Sequence, residues 1–257
     1  MKYFAVCSII FLFVFVAKTG FAQNVGADDS ASKVYFNPTK LDRAARCSPE
    51  NTDSARFSKR FSIKDKVKIC EGIELFVAHS RLAESRAAAA LGERMRLVWN
   101  TFVETETPFF PLPESKENSM FAAASAFPRG FKADRYEAAV YISAERAASH
   151  LFFYIFWHEL QHVYDIKRAW EARGRVSNYD LEFNGFYFAS ELAEIYRPKE
   201  WDARQSGFWR EEWKNLPAEQ KRALRTKTID EFMGKSAVYA DTRDRNQAQY
   251  DFSNRQF

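Results

Sequence analysis

LFFYIFWHELQHVYDIKRAW, residues 151–170, decides how the rest of this chain is read. Seven apolar residues, Leu151 to Trp157, run directly into His158, and Val163, Tyr164 and Ile166 keep the segment largely apolar beyond it. No Pro or Gly intervenes before Gly174. Such a stretch, apolar on most sides, predicts a helix buried in a core. Inside it stands His158-Glu159-Leu160-Gln161-His162, an HExxH string. At 3.6 residues per turn, positions i and i+4 stack on one helical face. His158 and His162 can therefore grip one Zn2+ through their imidazole nitrogens, with Glu159 beside the ion as a base for water and not as a ligand. Five letters also match by chance, so the setting gives them their weight. Two histidines and a glutamate in an apolar helix are costly to bury unless something satisfies them, and a metal does so.

A hydrolytic zinc site needs a third protein ligand and one open position for water. Glu182 is the leading candidate. It follows His162 by twenty residues, across a segment that can turn the chain around. The first helix is expected to end near Arg173, with Gly174 in the left-handed C′ conformation. Ser177, Asn178 and Asp180 are N-cap candidates for a second helix, from about Leu181 to Arg197, stopped by Pro198. Glu182 then sits in its first turn and returns over the motif helix. Gly185, a poor helix former, reads either as a device for close packing of the two helices or as a neutral surface residue. Asp165 shares the face of His158 and His162. It is a rival ligand, though better placed to fix an imidazole tautomer from behind. Glu191 and Glu194 lie deeper in the return helix and read as its solvated face.

HELQH at 158–162, with a Glu twenty residues after the second histidine, resembles the zincin metallopeptidases, in particular their glutamate-ligand branch, the gluzincins. The likeness covers residues 151–190. It implies zinc held by His158, His162 and Glu182, with Glu159 as general base. Thermolysin-like members carry an acidic residue four positions after the ligand Glu, where this chain has Phe186. For the residue that stabilises the oxyanion, His150, Tyr164, Tyr187 and Tyr196 are all available, and the sequence does not choose among them.

The N-terminus has the form of a secretory signal peptide at residues 1–22. Lys2 supplies a short positive region, Tyr3 to Ala17 an apolar one, and Gly20-Phe21-Ala22 places small residues at −3 and −1 for cleavage after Ala22. The apolar run falls short of the roughly 20 residues that span a bilayer, so no stable membrane anchor is expected. Export to the periplasm or the cell exterior leaves two cysteines, Cys47 and Cys70. In an oxidising compartment an even pair reads as a disulfide, worth about 3 kcal/mol in the chain-entropy account. The chain has 38 Lys+Arg against 34 Asp+Glu; loss of Lys2 and Lys18 with the leader leaves 36 against 34. That balance, without any basic block, gives no case for nucleic acid.

Residues 23–257 can bury one sizeable core and are read as one domain. The expected class is α+β, mainly helical and zincin-like, with a small sheet packed beside the HExxH helix. Residues 23–60 are polar and read as an arm. Residues 64–103 read as helical, with a break at Gly92. Pro108, Pro111 and Pro113 predict an extended loop to about Asn118, and Ala138 to Ile142 a strand. Trp201, Phe208, Trp209 and Trp213 form an aromatic stretch that either lines a groove or packs onto the core. Leu216 to Met233 reads as a further helix begun by Pro217, and 241–257 as a loosely ordered tail. The expected activity is that of a secreted zinc-dependent hydrolase, a peptidase first, acting on a peptide or protein. An amidase or esterase of the cell envelope and a non-enzymatic binding protein on the same fold are the competing readings. Oligomeric state is not legible.

Overall fold

The computed structural model describes residues 61–105, 109–111, 124–131, 136–147, 152–196, 211–235 and 247–253. The expected leader at 1–22, the expected arm at 23–60 with Cys47, His150 and the aromatic positions 201–209 lie outside them. The described chain is mainly helical with a small sheet.

Ser62 caps helix α1 (Ile63–Arg86): its hydroxyl accepts from the Asp65 amide, satisfying one of the first-turn donors that lack a helical partner. Ile69, Ile73, Phe76, Val77, Ser80 and Ala83 are buried at helical spacing, so one face of α1 meets the core. The break to α2 (Ala89–Glu104) falls at Ala87, whose backbone is extended, and not at Gly92. Gly92 lies inside α2 and donates to the Ala88 carbonyl as any helical residue would. An isolated glycine costs a helix about 1 kcal/mol, which packing readily overrides. Met95, Val98, Trp99 and Phe102 form the buried stripe of α2.

Strand β1 (Phe109–Pro111) pairs parallel with β3 (Tyr136–Ile142), and β2 (Ala124–Phe131) pairs antiparallel on its other side, so β3 is central. The loop expected around Pro111 is thus partly a strand. Proline is tolerated because, among the described residues, β1 has a ladder partner on one side only. In β2, where the same holds, the register shifts between Pro128 and Gly130. After the short helix α3 (Ala144–Ala147) comes α4 (Phe152–Glu171), the HExxH helix, which is buried nearly all round as its apolar run requires. The sheet lies beside it: Phe109 meets Phe156 at 6.4 Å between ring centroids, and Tyr136 meets Trp170 at 6.5 Å. Phe76 of α1 fills the other side, edge-on to Phe156 at 4.7 Å and 5.2 Å from Trp157. Truncating so enclosed a phenyl ring to Ala costs about 3–5 kcal/mol.

The turn after α4 differs in one residue from expectation. Arg173, not Gly174, has positive φ, at 50°. Gly174 N–H donates to the Ala169 carbonyl and Arg173 N–H to that of Trp170, the paired bonds of a Schellman stop. The left-handed residue is therefore one position earlier. A three-residue strand, β4 (Arg175–Ser177), leads into α5 (Asn178–Ile195), capped by Ser177 through the Asp180 amide. Contacts then run in opposite directions along the two helices: Asp165 with Asn184, Trp157 with Phe188, Tyr154 with Tyr196. Helix α5 is the antiparallel return of α4. A 3-10 turn at Glu211–Trp213 buries Trp213, and α6 (Ala218–Lys235) packs on α5. Pro217 precedes α6, with its carbonyl accepting from Lys221. Part of the tail expected to be loose is ordered: β5 (Ala248–Asp251) pairs antiparallel with β4, and Phe252 is buried. Among the described residues no helix is long and apolar enough to cross a membrane.

Candidate metal centre

The antiparallel pair α4 and α5 brings together the residues singled out by their spacing. His158 and His162 stack one turn apart, with ring centroids 4.5 Å apart and planes at 81°. His158, Glu159 and His162 are all buried and present ligand-type atoms within 4.8 Å of one another. From the first turn of α5, the Glu182 carboxylate straddles the two rings. Oε2 lies 3.2 Å from His158 Nε2, and Oε1 lies 3.8 Å from His162 Nε2. Two ligands about 2.1 Å from one tetrahedral ion stand about 3.4 Å apart, so both separations are of the size a shared zinc requires.

The electrostatics suit neutral imidazoles. Burial pushes the pKa of both histidines down to about 3; for His162 the neighbouring His158 pushes the same way, against the Glu182 charge. Burial likewise raises the Glu182 carboxyl, opposed by His162. Four polar side chains with no more than 7 % of their surface exposed are thus neighbours: Glu159 with the two imidazoles, and Glu182 near each imidazole from the other helix. His158 Nε2 is within hydrogen-bonding distance of Glu182, whereas neither buried ring nitrogen of His162 makes a hydrogen bond of normal geometry, although the Leu181 backbone lies near enough to favour its protonated form. A buried, unsatisfied donor costs about 1–3 kcal/mol, and a neutral imidazole always carries one N–H. Coordination through one nitrogen would occupy the ring's lone pair, which also lacks a partner, and leaves the N–H on the other nitrogen in need of an acceptor. The donor set, two neutral imidazoles and a carboxylate, is one zinc accepts.

Gly185 makes the approach of the helices possible. A Cβ built there would stand 2.7 Å from His158 Cε1 and Nδ1, so the position is a packing device and not a neutral surface glycine. Phe186 packs edge-on against His158, with centroids 4.6 Å apart. The position at which thermolysin-like members carry an acidic residue thus sets an aromatic ring edge-on to His158 here.

Asp165 is engaged elsewhere than on the imidazoles. Its Oδ1 accepts from Gln161 Nε2 at 2.8 Å and its Oδ2 from Asn184 Nδ2 at 3.0 Å, which joins α4 to α5. Burial pushes its pKa up to about 6, against these two bonds and the Arg94 charge. Glu191 is not a solvated helix-face residue: it accepts from Arg94 Nη1 at 3.1 Å. Glu194 holds Lys221 and Arg225 of α6. The spacing argument missed Arg94, which also donates to Gln161 Oε1 at 3.3 Å. Gln161, a buried amide within an apolar helix, signals that partners exist, but the one on α2 lies 67 residues away in sequence. Of the oxyanion candidates, Tyr164 OH accepts from Arg168, Tyr187 lies under Arg225, and Tyr196 packs on Phe153.

No protein-family profile matches this chain, and no curated protein or solved structure matches it significantly. The functional reading therefore rests on the residues themselves.

Proposed function

We propose that the protein is a secreted zinc-dependent hydrolase, most simply a peptidase, on a zincin-like fold. The observation that carries this reading is the meeting of the Glu182 carboxylate with both HExxH imidazoles in a buried site. Zinc would be held by His158, His162 and Glu182. When bound, the ion supplies a Lewis acid that polarises a carbonyl and makes water a nucleophile near neutral pH.

The remaining steps belong to the chain. Glu159, one residue past the first histidine, accepts a proton from the attacking water through its carboxylate and then delivers it to the departing amine nitrogen. His158 and His162 stay neutral, held so by burial. The leader at 1–22 would carry the protein out of the cytoplasm, where Cys47 and Cys70 would be oxidised. Substitution Glu159→Gln keeps shape and zinc but removes the base, and is expected to abolish hydrolysis of a peptide-library substrate. Undiminished hydrolysis by that variant, with zinc retained, rules the mechanism out.

A second reading draws on the depth of Glu159, only 1 % exposed. A zinc-holding envelope protein without hydrolytic activity fits a base so enclosed. It predicts bound zinc and no turnover of peptide, ester or peptidoglycan amide substrates.

A further inference from the structure

A chain of hydrogen bonds lies beside the candidate centre and crosses three helices. Arg94 of α2 donates to Gln161 on α4; Gln161 donates to Asp165; Asp165 accepts from Asn184 on α5; and at the other end of the chain Arg94 pairs with Glu191, also of α5. The guanidinium also sits over the Phe188 ring, 4.7 Å from its centroid. Two members of the chain of bonds adjoin proposed ligands in sequence: Gln161 precedes His162, and Asn184 follows Glu182 by two residues. Both hydrogen-bonding ends of the Gln161 amide are therefore engaged, which fixes the turn of α4 that carries His162. The planar fork of Arg94 reaches α4 with Nε and α5 with Nη1 at once, a geometry a lysine ammonium cannot reproduce.

We infer that Arg94 is a positioning residue of the metal centre: through Gln161 and Glu191 it sets the spacing of the His162-bearing and Glu182-bearing helices, and hence how tightly and in what geometry the site holds its ion. The inference rests on the metal-site reading above. Outer partners that orient metal ligands are typically worth 10–100-fold in affinity.

The test uses the purified full-length mature chain, with Zn2+ titrated against a chromophoric chelator and Co2+ substituted for its visible absorption spectrum. Arg94→Met is expected to weaken Zn2+ binding by about 10–100-fold and to shift the cobalt bands. Arg94→Lys, which keeps charge and stem and is the gentler variant should the first not fold, is expected to show the same changes in smaller degree. Tyr154→Phe serves as the comparison, since it removes a different α4–α5 tie, the bond from Tyr154 OH to the Tyr196 carbonyl, and should leave affinity and spectrum as in wild type. Wild-type binding with Arg94→Lys unchanged in both readouts overturns the positioning role alone. Equal weakening by Tyr154→Phe and the Arg94 variants also overturns it, by reducing the effect to general loss of stability. A wild-type chain that takes up neither ion overturns the metal site and this inference together.

Discussion

Gly185 of α5 lies flat against the His158 ring: a side chain at that position would begin 2.7 Å from His158 Cε1 and Nδ1 and 2.9 Å from Cγ. The ring would have to give way although Phe186 packs edge-on against it and the Asp165–Asn184 bond ties the two helices together. Gly185→Ala would gain about 1 kcal/mol of helix propensity but lose about 1–3 kcal/mol to overpacking. Because the imidazole must shift, zinc affinity is expected to fall even where the thermal midpoint changes little. A variant that is more stable and binds zinc as wild type would show that the contact is slack.

Arg225 should behave as a stability residue without a part in the centre. It is 4 % exposed, donates from Nε to Ser190 Oγ at 2.9 Å, and pairs with Glu194 at 2.6 Å. Arg225→Ala strands these partners and is expected to cost about 2 kcal/mol, typical of a hydrogen bond to a charged group. Urea unfolding reads this directly, and zinc affinity measured on the folded variant should stay unchanged. A loss below about 0.5 kcal/mol, the usual range of a plain surface change, would mean the α5–α6 clamp is ornamental.

Asp165 gives a pH signature. Burial raises its folded pKa to about 6 from an ordinary 3.8. A raised folded pKa means the folded state holds the proton more tightly. Its contribution to stability is thus fully present below 3.8 and is lost as pH rises through about 6. Asp165→Asn should remove this component, so the stability difference between wild type and variant should change across that window and be flat above it. Carboxyl-carbon NMR of the wild type should show one aspartate titrating near pH 6, missing from the variant. A wild-type spectrum with every aspartate titrating below pH 5 would contradict the burial assigned to Asp165.

The parts of the fold that follow from local pattern could be read in the sequence, and those that depend on distant partners could not. The apolar run around HExxH predicted a buried helix because burial on all sides leaves no polar stripe. Ser177 was among three cap candidates, and the return helix followed from the turn residues before it. The stop at Arg173 was misplaced because glycine is the commoner left-handed residue, while a Schellman stop accepts other residues when its two bonds are made. Strand β1 was missed because Pro111 read as a breaker, and β2 drew no reading at all; edge position accommodates Pro111, and edge position is a property of the sheet. The same limit hid Arg94. Nothing local to Gly92-Glu93-Arg94 tells that its guanidinium reaches Gln161 and Glu191.

Zinc stoichiometry tests the centre most directly. Purified mature wild type, dialysed against buffer with a trace of zinc and assayed by atomic absorption, is expected to hold one zinc per chain. His162→Ala and the near-isosteric Glu182→Gln, folded by circular dichroism, should each hold far less than one. One full equivalent retained by both variants, or none bound by wild type, would contradict a zinc site built from His158, His162 and Glu182.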